Sequence, residues 1–502
     1  MNQLKAGAAL NYIIIALNTI VGLAYTPYLL RCLGQNEYGL YSLVSSVIAY
    51  LTILDFGFGN AIIRYTSKLR SERKIKEQWE MFGMFLIIYS IIGLIAMVGG
   101  LGLFFNVNAL FDRTMSSDEI SQAQTMMLLL TLNLALTFPL SIFGAIISAY
   151  ENFVYQRVIS ICRILLCTGV MIGLLSMGYK AIALVVVNTV FNILTLLLNV
   201  IYCKYKLKIS IRFVRFNWPF LKEVCIYSFW IFLNAIMDKI YWGTGQFVLG
   251  AVSGTVAVAI FSVAIMLQQM YMQFSTSIAN VLLPRMTSMV AMNSSNQEIS
   301  DMFIKTGRLQ CIIMTLVLSG FIVFGQQFID VWAGCDYRES FLITLIFFIA
   351  LFIPLIQNTG IVILQARNQM KFRSILYLVI SIVSLAAQFL LAKEMGATGC
   401  AIAIGGALII GQGLIMNLYY YKKQNIDIPL FWKEILKMLL IPIIITVCAY
   451  YVAGFYNFNN ILNLIVGIAA YMVVYIPCIW KFSINSYERS LLLSPINRIR
   501  RK

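Results

Sequence analysis

Fourteen apolar stretches punctuate the chain, at about 8–30, 38–63, 81–105, 124–149, 156–177, 180–202, 222–248, 256–283, 306–328, 341–364, 373–392, 397–420, 435–455 and 460–480. Each is long enough to cross a bilayer, which takes about 20 mostly apolar residues in an α-helix. The apolar positions run continuously, without the alternation over about ten residues that marks a barrel strand. The pattern predicts an all-α, polytopic membrane protein of 14 transmembrane helices. Only Met177, Gly178 and Tyr179 separate the fifth and sixth stretches. A single helix over both would be about 70 Å long, so a turn is required there. The gaps near 106–123, 203–221 and 284–305 are the longest, at about twenty residues each, and leave no room for a separate extramembrane domain. The first stretch is too long for the core of a signal peptide, and no small-residue cleavage site follows it; it is expected to remain a span.

Composition sharpens this picture. Of the 502 residues, 61% are hydrophobic and 11% charged, against about 45–50% and 25% in a soluble domain. A large soluble catalytic domain is excluded. The absence of histidine removes His-based triads, imidazole proton shuttles and His zinc sites. The net charge of +17 does not point to nucleic acid, because the basic residues sit in the short breaks between apolar runs. With the N-terminus in the cytoplasm and the spans alternating, thirty of the 37 Lys and Arg fall on the cytoplasmic side. Five fall outside (Arg31, Arg113, Lys180, Arg338 and Lys393), and Arg163 and Lys239 lie within spans. That bias places both termini in the cytoplasm of a cell membrane protein. None of the ten Cys forms a C-x-x-C pair, and most lie in apolar runs; they read as small buried apolar residues rather than a metal site or disulfide framework.

The chain also repeats itself. Leu33-Gly34 followed by Tyr41-Ser42-Leu43 returns as Leu249-Gly250 followed by Phe261-Ser262-Val263, and Asn60 returns as Asn280. Asn152 and Arg157 return as Asn368 and Arg373, and Ala181-Ile182-Ala183 as Ala401-Ile402-Ala403. Six spans separate the copies, so both have the same orientation, a parallel repeat of the kind transporters use. The expected organisation is a six-helix bundle at 1–202, a basic cytoplasmic linker at 203–221, a second six-helix bundle at 222–421, and helices 13 and 14 with a basic tail at 422–502. In the linker, Lys204, Lys206, Lys208, Ser210 and Arg212 alternate with Tyr205, Leu207, Ile209, Ile211 and Phe213. Such a segment lies at headgroup level, read by anionic lipid or serving as a docking rim for a phosphorylated lipid.

Charges within the membrane are costly and usually face a cavity or a partner. Asp55 shares a helical face with Ser45, Thr52 and Gly59, and Asn60 and Arg64 form a neighbouring stripe. These residues are candidates for a cavity wall, Arg64 for meeting a phosphate; alternatively Asp55 partners a nearby cation and Arg64 anchors at the interface. Asp238 and Lys239 lie deep in the seventh stretch. Lys239 suits an anion, and Asp238 a sodium ion, a proton or an arginine; a structural ion pair is the competing reading. Gln269, Gln273, Thr276 and Asn280 form a polar stripe on the eighth stretch, suited to sugar hydroxyls or to helix–helix contact. No catalytic constellation or glycine-rich phosphate cradle is present. An enzyme, a metal site and a cofactor are therefore not expected, and energy would come from a Na⁺ or H⁺ gradient, Asp55 and Asp238 being the ion-coupling candidates, or from consumption of product.

The run Leu33-Gly34-Gln35-Asn36-Glu37-Tyr38-Gly39-Leu40-Tyr41, then Tyr50-Leu51, Leu54-Asp55-Phe56-Gly57 and Ala61-Ile62-Ile63-Arg64-Tyr65, resembles the opening of the polysaccharide transporter branch of the multidrug/oligosaccharidyl-lipid/polysaccharide exporter superfamily. The resemblance implies an O-antigen or capsule repeat-unit flippase moving undecaprenyl-pyrophosphate-linked oligosaccharide by alternating access, in contact with membrane lipid. It also implies a polysaccharide polymerase and glycosyltransferases as partners. Relatives that flip the peptidoglycan precursor carry arginine in the first helix; here only Asn11 and Asn18 lie there between Lys5 and Arg31. The alternatives are a multidrug exporter of the same superfamily and a membrane-embedded polysaccharide enzyme, for which the outer loops are too short.

Overall fold

The computed structural model describes residues 3–213, 218–292, 294–367, 369–456, 458, 460–485, 488 and 489, and among them there are helices and no strands. In chain order the helices are α1 (Gln3–Leu51), α2 (Phe58–Ser71), α3 (Ile75–Phe111), α4 (Ser117–Ala149), α5 (Phe153–Ser176), α6 (Ala181–Tyr205), α7 (Trp218–Val252) and α8 (Thr255–Ala291). There follow α9 (Asn296–Trp332), α10 (Ser340–Ile356), α11 (Asn358–Ala366), α12 (Lys371–Leu408), α13 (Met416–Lys422), α14 (Ile428–Ala453) and α15 (Ile461–Phe482). The chain divides into two compact units, Met1–Ala259 and Ile260–Lys502.

Among the described residues, ten helical segments are long and apolar enough to cross a membrane, or eleven with the bent pair α10–α11. Two of the ten are too long for one crossing: Leu10–Ser71 has 62 residues and Lys371–Lys422 has 52, about 93 and 78 Å of helix against a hydrocarbon core of about 30 Å. Each is interrupted by a glycine whose backbone leaves the helical region. Gly34 has φ 73°, ψ 176° and Gly396 has φ 56°, ψ −134°. Positive φ combined with such ψ is essentially closed to residues with a Cβ, so these two glycines end one helix and begin the next.

Fifteen helices thus stand where fourteen are expected, and the difference has local causes. The helix expected over 38–63 is broken. A 3₁₀ turn at Thr52–Asp55 is followed by Phe56 (φ 51°) and Gly57 (φ 71°) in left-handed conformations before α2 begins. The single face expected through Ser45, Thr52, Asp55 and Gly59 is therefore interrupted. The stretch 341–364 bends by 40° between α10 and α11, after Pro354, and 397–420 contains a π-helical segment at Ile409–Ile415 before α13.

In the first unit, Phe58, Ile62, Phe82, Phe85, Tyr89 and Ile146 from α2, α3 and α4 are among the buried side chains of one core cluster. Polar contacts gather the turns into two ends. At one end, Lys180 meets Glu37 at 3.4 Å, Thr114 donates to the Gly250 carbonyl at 2.7 Å, and Thr255 donates to Glu119 at 2.9 Å. At the other, Arg70 lies over the Tyr150 ring, 4.5 Å from its centroid, and the Arg212 N–H donates to the Trp79 carbonyl at 3.1 Å. The turns thus separate as the alternation of spans requires. In the second unit, α14 and α15 pack with α9 around Phe324, Tyr471 and Tyr475. All ten cysteines are free; Cys167, Cys203, Cys311 and Cys400 are buried, but Cys32, Cys162, Cys225, Cys335 and Cys448 are exposed, so burial accounts for only part of the set.

Candidate functional site

The break in helix geometry at Thr52–Gly57 places Asp55. The carboxylate cannot be carried through the membrane unpartnered without a large desolvation cost. Here its Oδ1 accepts a hydrogen bond of 2.7 Å from the buried Tyr89 hydroxyl on α3, and the carboxylate also accepts from the Gly57 backbone N–H. The left-handed residues after Asp55 turn that N–H back toward the carboxylate, as an αL residue commonly closes a helix end. The Phe56 ring meets Phe232 of α7 with centroids 4.5 Å apart. Asp55 therefore sits at a junction of three elements: the 3₁₀ turn, α3 and α7.

Asn60 and Arg64 follow on α2, both exposed. The Arg64 guanidinium lies 5.8 Å from the Tyr65 ring centroid, and the Tyr65 hydroxyl donates to Glu223 Oε1 of α7 at 2.9 Å. On α7, Asp238 is exposed, Lys239 half-buried and Tyr241 buried. One turn beyond Lys239, the Tyr50 hydroxyl of α1 lies 3.3 Å from where a Gly243 Cβ would stand. The first unit thus brings the Asp55 break and the Asp238–Lys239 helix onto touching elements.

In the second unit, Gln269 and Gln273 are exposed on α8. The Asn280 side chain lies outside the described residues, as does Asn368 of the repeat. The opposite face of α8 is buried and satisfied internally: Ser275 donates to the Leu355 carbonyl at 2.7 Å, and Tyr271 to the Met314 carbonyl at 3.2 Å. Exposed amides and carboxylates inside a hydrophobic stretch are stable beside water and costly beside lipid tails. Gln269, Gln273 and Asp238 are thus polar side chains exposed on otherwise apolar helices.

Two features lie outside the candidate residues, and only the second has a forewarning in the sequence. Arg308, 6% exposed, is clamped by Glu488, fully buried, at 2.6 and 3.2 Å, and by Glu434 at 3.2 Å, with the Ser483 carbonyl at 3.1 Å. This cluster ties α9 to α14 and to the segment after α15. The two carboxylates lie 126 and 180 residues away in sequence, so no local spacing could reveal them. The second feature is an apolar cavity of about 760 Å³ between α14 and α15, floored by Phe324 of α9 and lined by residues such as Ile444, Cys448, Val466, Ala470 and Val474. The charge-free sequence from Ile441 to Trp480 was its only forewarning.

These features define a multi-pass membrane protein with polar side chains exposed along its crossing helices, and its fold is that of known lipid and drug transporters. It is similar to the lipid II flippase MurJ in an inward closed conformation, with a TM-score of 0.72, 16% identity and 98% of this chain and 99% of that one covered. It is also similar to a multidrug resistance MATE family transporter of the MOP superfamily in an inward-facing conformation, with a TM-score of 0.64, 12% identity and 83% and 95% covered. The chain belongs to the family described as "Polysaccharide biosynthesis protein", whose profile matches residues 4–290. Among curated proteins it is 21% identical over 418 residues to a "Putative O-antigen transporter" of Shigella flexneri, covering 80% of this chain and 94% of that protein. A protein of the same description from Salmonella typhimurium is 29% identical over 161 residues, covering 32% of this chain and 35% of that one.

Proposed function

We propose that this chain is a flippase that carries undecaprenyl-pyrophosphate-linked oligosaccharide repeat units from the cytoplasmic to the outer leaflet for surface polysaccharide assembly. The observation that carries the reading is the similarity to an O-antigen transporter along 80% of the chain. The polar and charged side chains exposed on hydrophobic helices agree with it. In this reading the fifteen helices make fourteen crossings, counted across the breaks at Thr52–Gly57, between α10 and α11 and at Ile409–Ile415, and divided at Gly34 and Gly396. They form a bundle at 1–202, the 203–221 linker, a second bundle at 222–421, and the 422–502 segment, with both termini cytoplasmic. A left-handed glycine, Gly254, lies four residues after the Gly250 that matches Gly34, and left-handed Gly178 corresponds to left-handed Gly396, which supports the repeat.

The chemistry divides by substrate part. Lys239 and Arg64 supply cationic groups for a pyrophosphate, whose passage through a low-dielectric slab is otherwise prohibitive. Asn60, Gln269, Gln273 and Asn280 supply hydrogen bonds for sugars. The polyprenyl tail is held outside the polar surface, in the apolar cavity between α14 and α15. Asp55 and Asp238 are the acceptors for a coupling Na⁺ or H⁺, and transport proceeds by alternating access. Glycosyltransferases would supply the substrate and a polysaccharide polymerase consume it.

The test is direct. In a host lacking this protein, lipid-linked repeat units are expected to accumulate on the cytoplasmic side and surface polysaccharide to fall. Purified protein in liposomes is expected to move the lipid-linked sugar and ignore cationic dyes. Dye efflux without any effect on surface glycan would replace this reading with that of a multidrug exporter.

A further inference from the structure

The linker after α6 is a seated strap rather than a free loop. From Leu207 to Arg212 exposure alternates residue by residue: Leu207, Ile209 and Ile211 are half-buried, and Lys208, Ser210 and Arg212 are exposed. The three apolar side chains pack on the core formed by α2, α3 and α4. The seat is specific. The Ile209 N–H donates to the Cys203 carbonyl at 3.0 Å, and the Arg212 N–H to the Trp79 carbonyl at 3.1 Å. The Arg212 guanidinium lies 5.3 Å from the Trp79 ring centroid. Gly83 of α3 meets the strap backbone directly, and a Cβ there would overlap the Arg212 carbonyl. Lys204, Lys206 and Lys208 are thereby held on an exposed edge. Three large aromatics flank that edge: Tyr205, Phe213 and Trp218 are 72%, 64% and 70% exposed.

We infer that this strap is a docking edge for the anionic phospholipid headgroups of the adjoining leaflet, and that Gly83 sets its height. Two observations favour a lipid surface over a single phosphate. Lys204, Lys206 and Lys208 are each exposed, Lys204 on the last turn of α6 and the other two on the chain that follows it. Tyr205 and Trp218 are of the two residue types that settle at the membrane–water interface, with ring in the acyl boundary and polar edge in the headgroups, and Phe213 adds apolar surface beside them. A solvent-facing strap that bound only water would gain nothing from displaying them. The strap is also the covalent lead into α7, the helix that carries Asp238 and Lys239. Binding of headgroups would hold that lead at a constant depth.

The experiment uses the full chain in phosphatidylcholine nanodiscs, on a background lacking the exposed cysteines, with a coumarin on Ser210→Cys. Energy transfer to tail-labelled NBD-phosphatidylglycerol is compared with transfer to the phosphatidylcholine analogue. The readout is the mole fraction of phosphatidylglycerol giving half-maximal preferential transfer. Since each cation near an anionic surface contributes on the order of 1 kcal/mol, Lys204→Gln, Lys206→Gln and Lys208→Gln together are expected to raise it at least about fivefold, or to abolish preferential transfer up to pure phosphatidylglycerol. An equal charge removal elsewhere, Lys422→Gln, Lys423→Gln and Lys433→Gln, is expected to leave it within about twofold. Gly83→Ala keeps every charge but unseats the strap, and is expected to raise it as well. An unchanged value in the strap variant, or an equal rise in the second-unit control, overturns the assignment; an unchanged value for Gly83→Ala overturns the role of the seat. No transported substrate is present, so failure here is separate from failure of the flippase reading.

Discussion

Removing Glu488 is expected to loosen the N-terminal part of α9 by a measurable amount. Arg308 makes hydrogen bonds to both Glu488 oxygens, to the Glu434 side chain and carbonyl, and to the Ser483 carbonyl. Glu488 Oε2 accepts additionally from the Asn485 N–H at 2.9 Å, so the carboxylate is fully used. In Glu488→Ala the guanidinium keeps only Glu434 as counter-charge, and that carboxylate is shared with Lys437 at 3.1 Å. Breaking one partner out of a buried pair typically costs about 3–5 kcal/mol. At 1.4 kcal/mol per tenfold, local opening becomes roughly a hundred to a few thousand times more frequent. Cys311, one turn along α9 and buried, reports that opening through its rate of reaction with a maleimide once the other nine cysteines are replaced, under conditions where closing outpaces labelling. The labelling rate should rise by that factor. Arg308→Met with Glu488→Met removes both charges, leaves Glu434 with Lys437, and should return the rate to within about tenfold of the parent, because a packed apolar pair costs far less than an orphaned charge. A rate for Glu488→Ala within threefold of the parent, or a double variant as reactive as the single, would refute the reasoning.

Further expectations concern the candidate site and its frame. Lys239→Ala and Asp238→Ala should each impair transport while the protein still reaches the membrane; recovery of transport in the double variant would mean the pair is structural. Tyr89→Phe removes the side-chain donor to Asp55, a charge-assisted bond worth about 1.5–3 kcal/mol, and should lower the initial flipping rate in liposomes; an unaltered rate would separate this contact from transport. Gly34→Ala has free space around its Cβ, so any loss is conformational; about 1–3 kcal/mol is expected, read as a fall in melting temperature. Ala470→Trp fills the cavity between α14 and α15 and should slow flipping of a long-chain polyprenyl carrier more than of a short-chain analogue; equal slowing would remove the tail from that cavity. Impermeant maleimide should label a cysteine placed in 106–123 from outside intact cells, and labelling only after permeabilisation would invert the topology.

What the sequence by itself determined is one-dimensional. Runs of apolar residues set where the chain enters and leaves the hydrocarbon, because each helix satisfies its own backbone and needs no distant partner to do so. Lys and Arg between those runs predict two sides for the turns, an expectation that rests on the charge bias alone. The alternation read over Lys204 to Phe213 reappears as alternating exposure from Leu207 to Arg212, since a period of two assigns opposite faces without reference to the rest of the fold, whereas Tyr205, in α6, and Phe213 are both exposed. The break at Thr52–Gly57 was not legible: Leu54-Asp55-Phe56-Gly57 lies inside one continuous apolar stretch, and what stabilises the turn is Tyr89 on another helix and Phe232 on a third. Arg308 read as an ordinary interfacial cation, because its carboxylates come from two remote segments. Which charges are buried and paired follows from packing, as it does for Arg308 with Glu488 and Glu434. A helix can form from local preference alone, but the partner of a buried charge is chosen by packing that brings together residues more than a hundred positions apart.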